Sequence, residues 1–170
     1  MKTIKLDNEG FLKVNFRLNS KDISVLVKPN ESLLDVIRRL GYKGAKRGCD
    51  TGDCGSCAVI LGGKAILSCI IPAFLADGED ILTIEGLGNV LNPHPIQEAF
   101  AESGAVQCGY CIPGIIMSTK FLLDRIPDPD EKDIKHHLDG NLCRCTGYVK
   151  QIEAVKMAAS RLKNNKKNKE

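Results

Sequence analysis

KRGCDTGDCGSC, residues 46–57, places three cysteines and three glycines within twelve residues. A thiol that only has to be buried needs no glycine beside it. A thiolate held against a metal does, because glycine lets the backbone curl and aim its N–H groups at the sulfur. With Cys69 added, this half of the chain reads C-x4-C-x2-C, then eleven residues, then a fourth cysteine. The first three match the plant-type run that ligates a 2Fe–2S cluster. Such a cluster holds two irons, and each takes two thiolates. A wrapped loop can supply Cys49, Cys54 and Cys57, and a separate strand then supplies Cys69. N–H groups pointing at the sulfurs also raise the reduction potential.

The remaining cysteines form a second quartet. Cys108 and Cys111 lie in CGYC, and Cys143 and Cys145 lie in CRC, thirty-one residues further on. CGYC precedes Pro113, and CRCTGY precedes a helical pattern, so each pair falls beside an expected helix N-terminus, where thiolates are favoured. Eight cysteines in two quartets with none left over argue against scattered core residues. Zinc is the main rival, but structural zinc usually pairs two C-x2-C knuckles at shorter separation, and a glycine-rich C-x4-C-x2-C loop suits it poorly. A thioredoxin-like redox pair lacks its βαβ setting. A Rieske centre would need histidine ligands in a C-x-H motif, and the chain has none.

The rest of the composition describes a soluble globule. Of 170 residues, 43% are hydrophobic and 26% charged, enough for one domain or two small ones. The net charge is +3, with much of the excess in KNNKKNKE, residues 163–170, which reads as a disordered basic tail. No aromatic–basic interleaving points to nucleic acid. No apolar run is long enough to span a membrane. MKTIKLDNEGF lacks the apolar region of a signal peptide, and Arg38-Arg39 lies inside a helical pattern. The expected compartment is the cytoplasm, where four structural disulfides would be out of place.

Periodicity divides the chain in two. FLKVNFRL (11–18) and DISVLVK (22–28) alternate as strands around the turn NSKD. Leu33, Val36, Ile37 and Leu40 mark a helix that Ser32-x-x-Asp35 caps and Gly41 ends. CAVIL and KAILSC flank Gly62-Gly63 as a hairpin, and ILTIE (81–85) reads as the last strand. A hairpin, a helix and further strands are the order of a β-grasp domain, placed at residues 1–86. Beyond the linker-like Gly86-Leu87-Gly88, residues 87–162 read as four helices: one from Pro95, one from Pro113, a third capped by Asp128-Pro129, and a fourth with Ile152, Val155, Ala159 and Leu162 on one stripe. The fold class is therefore α+β, a β-grasp plant-type ferredoxin domain followed by a four-helix bundle that carries the second cysteine quartet.

Together, KRGCDTGDCGSCAVIL…SC and VQCGYCIPGIIMSTKFLLD…GNLCRCTGYVKQIEAV closely resemble the small iron–sulfur subunit of the molybdenum hydroxylases. This is the family of xanthine dehydrogenase, aldehyde oxidoreductase and carbon monoxide dehydrogenase. The resemblance runs from about residue 11 to about residue 160. It implies two 2Fe–2S clusters, with Cys49, Cys54, Cys57 and Cys69 on the first and Cys108, Cys111, Cys143 and Cys145 on the second. It also implies that this chain binds no substrate. A large partner subunit would carry molybdopterin and a medium one FAD, in an αβγ hetero-oligomer that can dimerise. Electrons would pass from pterin to helical cluster, to plant-type cluster, to flavin, during hydroxylation of a purine or other N-heterocycle. By matching position, Gln107 and Cys145 would lie near the pterin. Asp50-Thr51 stands where some members have Gly-Glu.

No catalytic constellation competes with this reading. His94, His136 and His137 have no nucleophile motif beside them and are expected on helix surfaces. Gly86-Leu87-Gly88 follows a strand, but Leu91 occupies the third glycine position of a dinucleotide fingerprint. Arg144, between two ligands, would offset cluster charge or else simply face solvent. The alternative function is a stand-alone two-cluster carrier or redox sensor. The subunit reading calls instead for apolar contact surface around CGYC and CRC, supplied by Ile112, Pro113, Leu142, Tyr148 and Val149.

Overall fold

The computed structural model describes residues 6–7 and 9–167. Strand β1 (Leu12–Leu18) buries Leu12, Val14, Phe16 and Leu18 and exposes the residues between them. Asn19 and Ser20 both take positive φ, 50° and 67°, the turn that matches the twist of paired strands. Strand β2 (Lys21–Val27) returns antiparallel at the edge of the sheet, so Ile23 and Val25 are only half buried. Helix α1 (Leu33–Arg39) starts where the Ser32 hydroxyl accepts the Asp35 N–H at 3.1 Å, and it buries Leu33, Leu34, Val36 and Ile37. Strands β3 (Ala58–Leu61) and β4 (Lys64–Leu67) form the second hairpin, at Gly62-Gly63.

Strand β5 (Asp80–Leu82) enters the sheet between β1, to which it is parallel, and β3, to which it is antiparallel. The order is β2-β1-β5-β3-β4. The strand expected over 81–85 is cut short at Leu82, because Thr83 is the N-cap of a single helical turn, α2 (Ile84–Leu87), and its hydroxyl donates to Glu85 at 2.6 Å. Gly86 and Leu87, expected in a linker, belong to that turn. The cores divide accordingly. Ile81 closes the first, while Ile84 and Leu87 pack against the second, a few residues before the expected boundary at 86.

Four helices follow: α3 (Pro95–Glu102), α4 (Ile112–Arg125), α5 (Glu131–Leu138) and α6 (Val149–Lys167). Helix α5 is capped by Asp130 rather than Asp128. The Asp130 carboxylate accepts the Asp133 N–H at 2.8 Å, and the Asp133 carboxylate accepts the Asp130 N–H at 3.2 Å. Helix α6 buries Ala154, Val155, Ala158 and Ala159, small residues that let it pack closely on α3. It runs to Lys167, so residues 163–167, expected in a disordered tail, continue the helix; the tail's residues 168–170 lie outside the described residues. No helix among the described residues is long and apolar enough to cross a membrane.

Candidate metal centres

The first cysteine loop sits between α1 and β3. Gly48 has no room for a side chain, since a Cβ there would come within 2.6 Å of the Cys54 sulfur. The Thr51 N–H donates to the Cys49 sulfur at 3.5 Å. That amide, the Thr51 hydroxyl and the N–H groups of Cys54 and Asp53 draw the Cys49 thiol down to about 6, the hydroxyl most strongly. Asp50 stands at φ 61°, a left-handed conformation easy for glycine and tolerated by Asp. Its carboxylate pairs with Arg47, which also pairs with Asp35. Cys57 is buried at the start of β3, and the Ser68 hydroxyl donates to its carbonyl at 2.7 Å. This tie brings Cys69 beside Cys57. Burial, then the neighbouring Cys57, push the Cys69 thiol up to about 12.

The second quartet assembles from two loops. Cys111 is the N-cap residue of α4. The Cys145 and Cys108 sulfurs are 3.6 Å apart, and both residues are exposed. Cys111 lies beside Cys143, and burial, then that neighbour, push its thiol up to about 12. Cys143 comes down to about 7, its burial outweighed by hydrogen bonds from Thr146 and from the N–H groups of Cys145 and Thr146. The Cys143 loop is held by Tyr148, whose hydroxyl accepts the Cys143 N–H at 2.8 Å and donates to the Asn141 carbonyl at 2.9 Å.

Two thiols side by side resist carrying two negative charges at once, and a cation between them removes that penalty. Among the described residues no three or more His, Cys, Asp or Glu side chains are gathered for a single metal ion. Six of the eight thiols stand in pairs, Cys57 with Cys69, Cys111 with Cys143, and Cys108 with Cys145. Paired thiolates on loops lined by N–H groups are the donor set a two-iron cluster takes.

The two loops meet. The Leu142 N–H donates to the Cys54 carbonyl at 2.9 Å, and the buried Asn141 amide donates to the Gly55 carbonyl at 3.0 Å. The Tyr110 hydroxyl donates to the Arg47 carbonyl at 2.6 Å. Gly55 (φ 71°) and Gly114 both lie in this seam: a Cβ on Gly55 would strike the Gly140 carbonyl oxygen, and one on Gly114 would strike the Gly55 carbonyl oxygen.

Gln107 and Arg144 are exposed beside the second quartet. Leu142 and Val149 are 56% and 62% exposed, and they line a cleft of about 640 Å³ with Leu138, Tyr148 and Ile152. Ile112, Pro113 and Tyr148 are half buried. His94 caps α3, its Nδ1 accepting the Ile96 N–H at 3.2 Å. Sequence reasoning missed Asn141, Thr146 and Gln151. The first two stand inside the motif GNLCRCTGY, whereas Gln151 carried no local signal.

Residues 16–82 match the family model described as a 2Fe-2S iron-sulfur cluster binding domain, and residues 83–156 match one described as a 2Fe-2S binding domain. The protein is thus of the class that carries two 2Fe–2S clusters. The nicotinate dehydrogenase small FeS subunit of Eubacterium barkeri is 44% identical over 154 residues, covering 90% of this chain and 98% of that protein. The xanthine dehydrogenase iron-sulfur-binding subunit of Escherichia coli O157:H7 is 38% identical over 155 residues, covering 88% of this chain and 96% of that protein. The crystal structure of quinoline 2-oxidoreductase from Pseudomonas putida 86 superposes with a TM-score of 0.87 at 32% identity, covering 91% of this chain and 98% of that one. The chain belongs to the family of small iron–sulfur subunits of the molybdenum hydroxylases.

Proposed function

We propose that this chain is the electron-transfer subunit of a multi-subunit molybdenum hydroxylase. The observation that carries this reading is the seam itself. Two thiol quartets lie on loops joined by the hydrogen bond from Leu142 to Cys54, one residue from Cys143. In this reading Cys49, Cys54, Cys57 and Cys69 hold one cluster on a β-grasp domain. Cys108, Cys111, Cys143 and Cys145 hold the other on the helical domain. The clusters supply one-electron storage. The chain's own residues set the spacing, exclude water from the inner sulfurs and present the exposed Cys108–Cys145 edge to a partner.

Exposed Leu142 and Val149 beside that edge support a contact surface for a molybdopterin-binding large subunit, with Gln107 and Cys145 nearest the pterin. The first quartet would face an FAD-bearing medium subunit. Relatives that act as subunits of larger enzymes favour this reading over a free-standing carrier. Nicotinate and quinoline in the names of similar proteins support an N-heterocyclic substrate for the whole enzyme. A cytoplasmic location accords with eight cysteines free of disulfides.

Native anaerobic purification tests the proposal. Four irons per copy of this chain, together with molybdenum- and flavin-bearing partners, are expected from two 2Fe–2S domains. A lone monomer with the same iron content would overturn the subunit reading, and zinc in place of iron would overturn the ligand assignment.

A further inference from the structure

Gln151 lies in the first turn of α6 and is fully buried. Its Nε2 donates to the Cys111 sulfur at 3.8 Å, while its Oε1 has no partner. A buried amide with its acceptor unused weakens the fold. An aliphatic side chain at this buried position would carry no such penalty. The orphaned oxygen therefore calls for a reason, and the amide's other end supplies one. A cluster thiolate only accepts hydrogen bonds, so the NH2 group must face Cys111 and the carbonyl is the end left over.

We propose that Gln151 is a positioning residue for electron transfer, whose N–H raises the reduction potential of the second cluster through the Cys111 sulfur. Reduction adds negative charge that spreads onto the sulfurs, and a donor aimed at one of them stabilises the reduced form more than the oxidised form. Burial strengthens the effect, because no water competes. Thr146 serves the neighbouring sulfur in the same way, its hydroxyl 3.1 Å from the Cys143 sulfur. Cys108 and Cys145 are exposed, so water is available to them. The protein's own side-chain donors go to the inner pair. This inference rests on Cys111 being a ligand of the second cluster.

The test is an EPR-monitored redox titration of the full chain carrying both clusters, comparing the parent with Gln151→Leu and Gln151→Met. In both variants the reduction equilibrium of the second cluster should fall roughly tenfold, about 59 mV for a one-electron couple. The first cluster should not move, and the melting temperature should not drop, since the orphaned oxygen is gone. An unchanged second potential at full iron content would overturn the proposal. So would an equal shift in both clusters, or loss of the second cluster from both variants, which would make Gln151 an assembly residue. Cys111→Ser checks the underlying reading separately. Survival of the second cluster's signal in that variant would remove Cys111 from the ligand set, whatever Gln151 does.

Discussion

The backbone N–H of Leu142 donates to the carbonyl oxygen of Cys54 at 2.9 Å. Leu142 precedes Cys143, so one hydrogen bond and a few covalent bonds connect the two cysteine loops. Donors from the helical half also hold Gly55 and Arg47, so several ties fix the spacing of the loops. Gly55→Ala and Gly114→Ala are expected to force this seam apart. Overpacking a well-fitted contact costs roughly 1–3 kcal/mol, and the left-handed backbone adds strain at Gly55. Denaturant melts should show the loss. Rapid-mixing EPR should show slower electron exchange between the clusters than in the parent.

Asn141 is buried and serves both sides of the seam. Its amide donates to Gly55, and its Oδ1 accepts the Ser118 hydroxyl at 2.6 Å. Asn141→Ala strands a buried carbonyl and a hydroxyl, at a cost of roughly 1–3 kcal/mol. Asn141→Asp should be worse near neutral pH, because it removes the donor and buries a charge. Thermal melts of both variants check the order.

Cys143→Ser and Cys145→Ser are expected to lower iron from four to about two per chain, given two separate 2Fe–2S domains. Only the second EPR signal should vanish. In the assembled enzyme, substrate should still reduce the molybdenum centre, while turnover with an acceptor that draws electrons from the flavin should stop. Rapid flavin reduction in either variant would reverse the proposed order of centres.

His94 makes stability depend on pH. Its Nδ1 must be unprotonated to accept the Ile96 N–H. Burial, then nearby Lys120, hold its pKa below the ordinary 6.5. As pH falls, the unfolded chain therefore takes up a proton before the folded chain does. The cap's contribution is whole above about 6.5 and is lost as pH falls through the lower folded value. The loss should approach about 1 kcal/mol, the worth of an N-cap. His94→Asn keeps a cap without a titrating ring, so its stability should change less between about pH 7 and about pH 5. Parallel denaturant titrations would show a flatter profile for the variant.

Much of the architecture was legible because it depends on local rules. Alternation marked β1, and Gly62-Gly63 marked the second hairpin. Misreadings fell where two local signals competed. Asp128 and Asp130 are both good N-caps, and each has an acidic residue three positions on; in the structure Asp128 pairs with Lys163 and Glu131 with Lys135 and Lys156, while Asp130 and Asp133 make the reciprocal capping bonds. ILTIE is rich in β-forming residues at Ile81, Thr83 and Ile84, but Thr83 turns its side chain to Glu85 and starts a helix.

The sequence by itself determined the chemistry of this protein. Thiol number, thiol spacing and the neighbouring glycines are constraints on short loops, and short loops are written in consecutive residues. The tertiary structure alone decided how those loops relate. It placed Leu142 on Cys54, brought Cys69 beside Cys57, and turned Gln151 from one helix toward Cys111 at the head of another. These contacts join residues far apart in the chain. They follow from how two hydrophobic cores pack, which no local pattern of residues encodes.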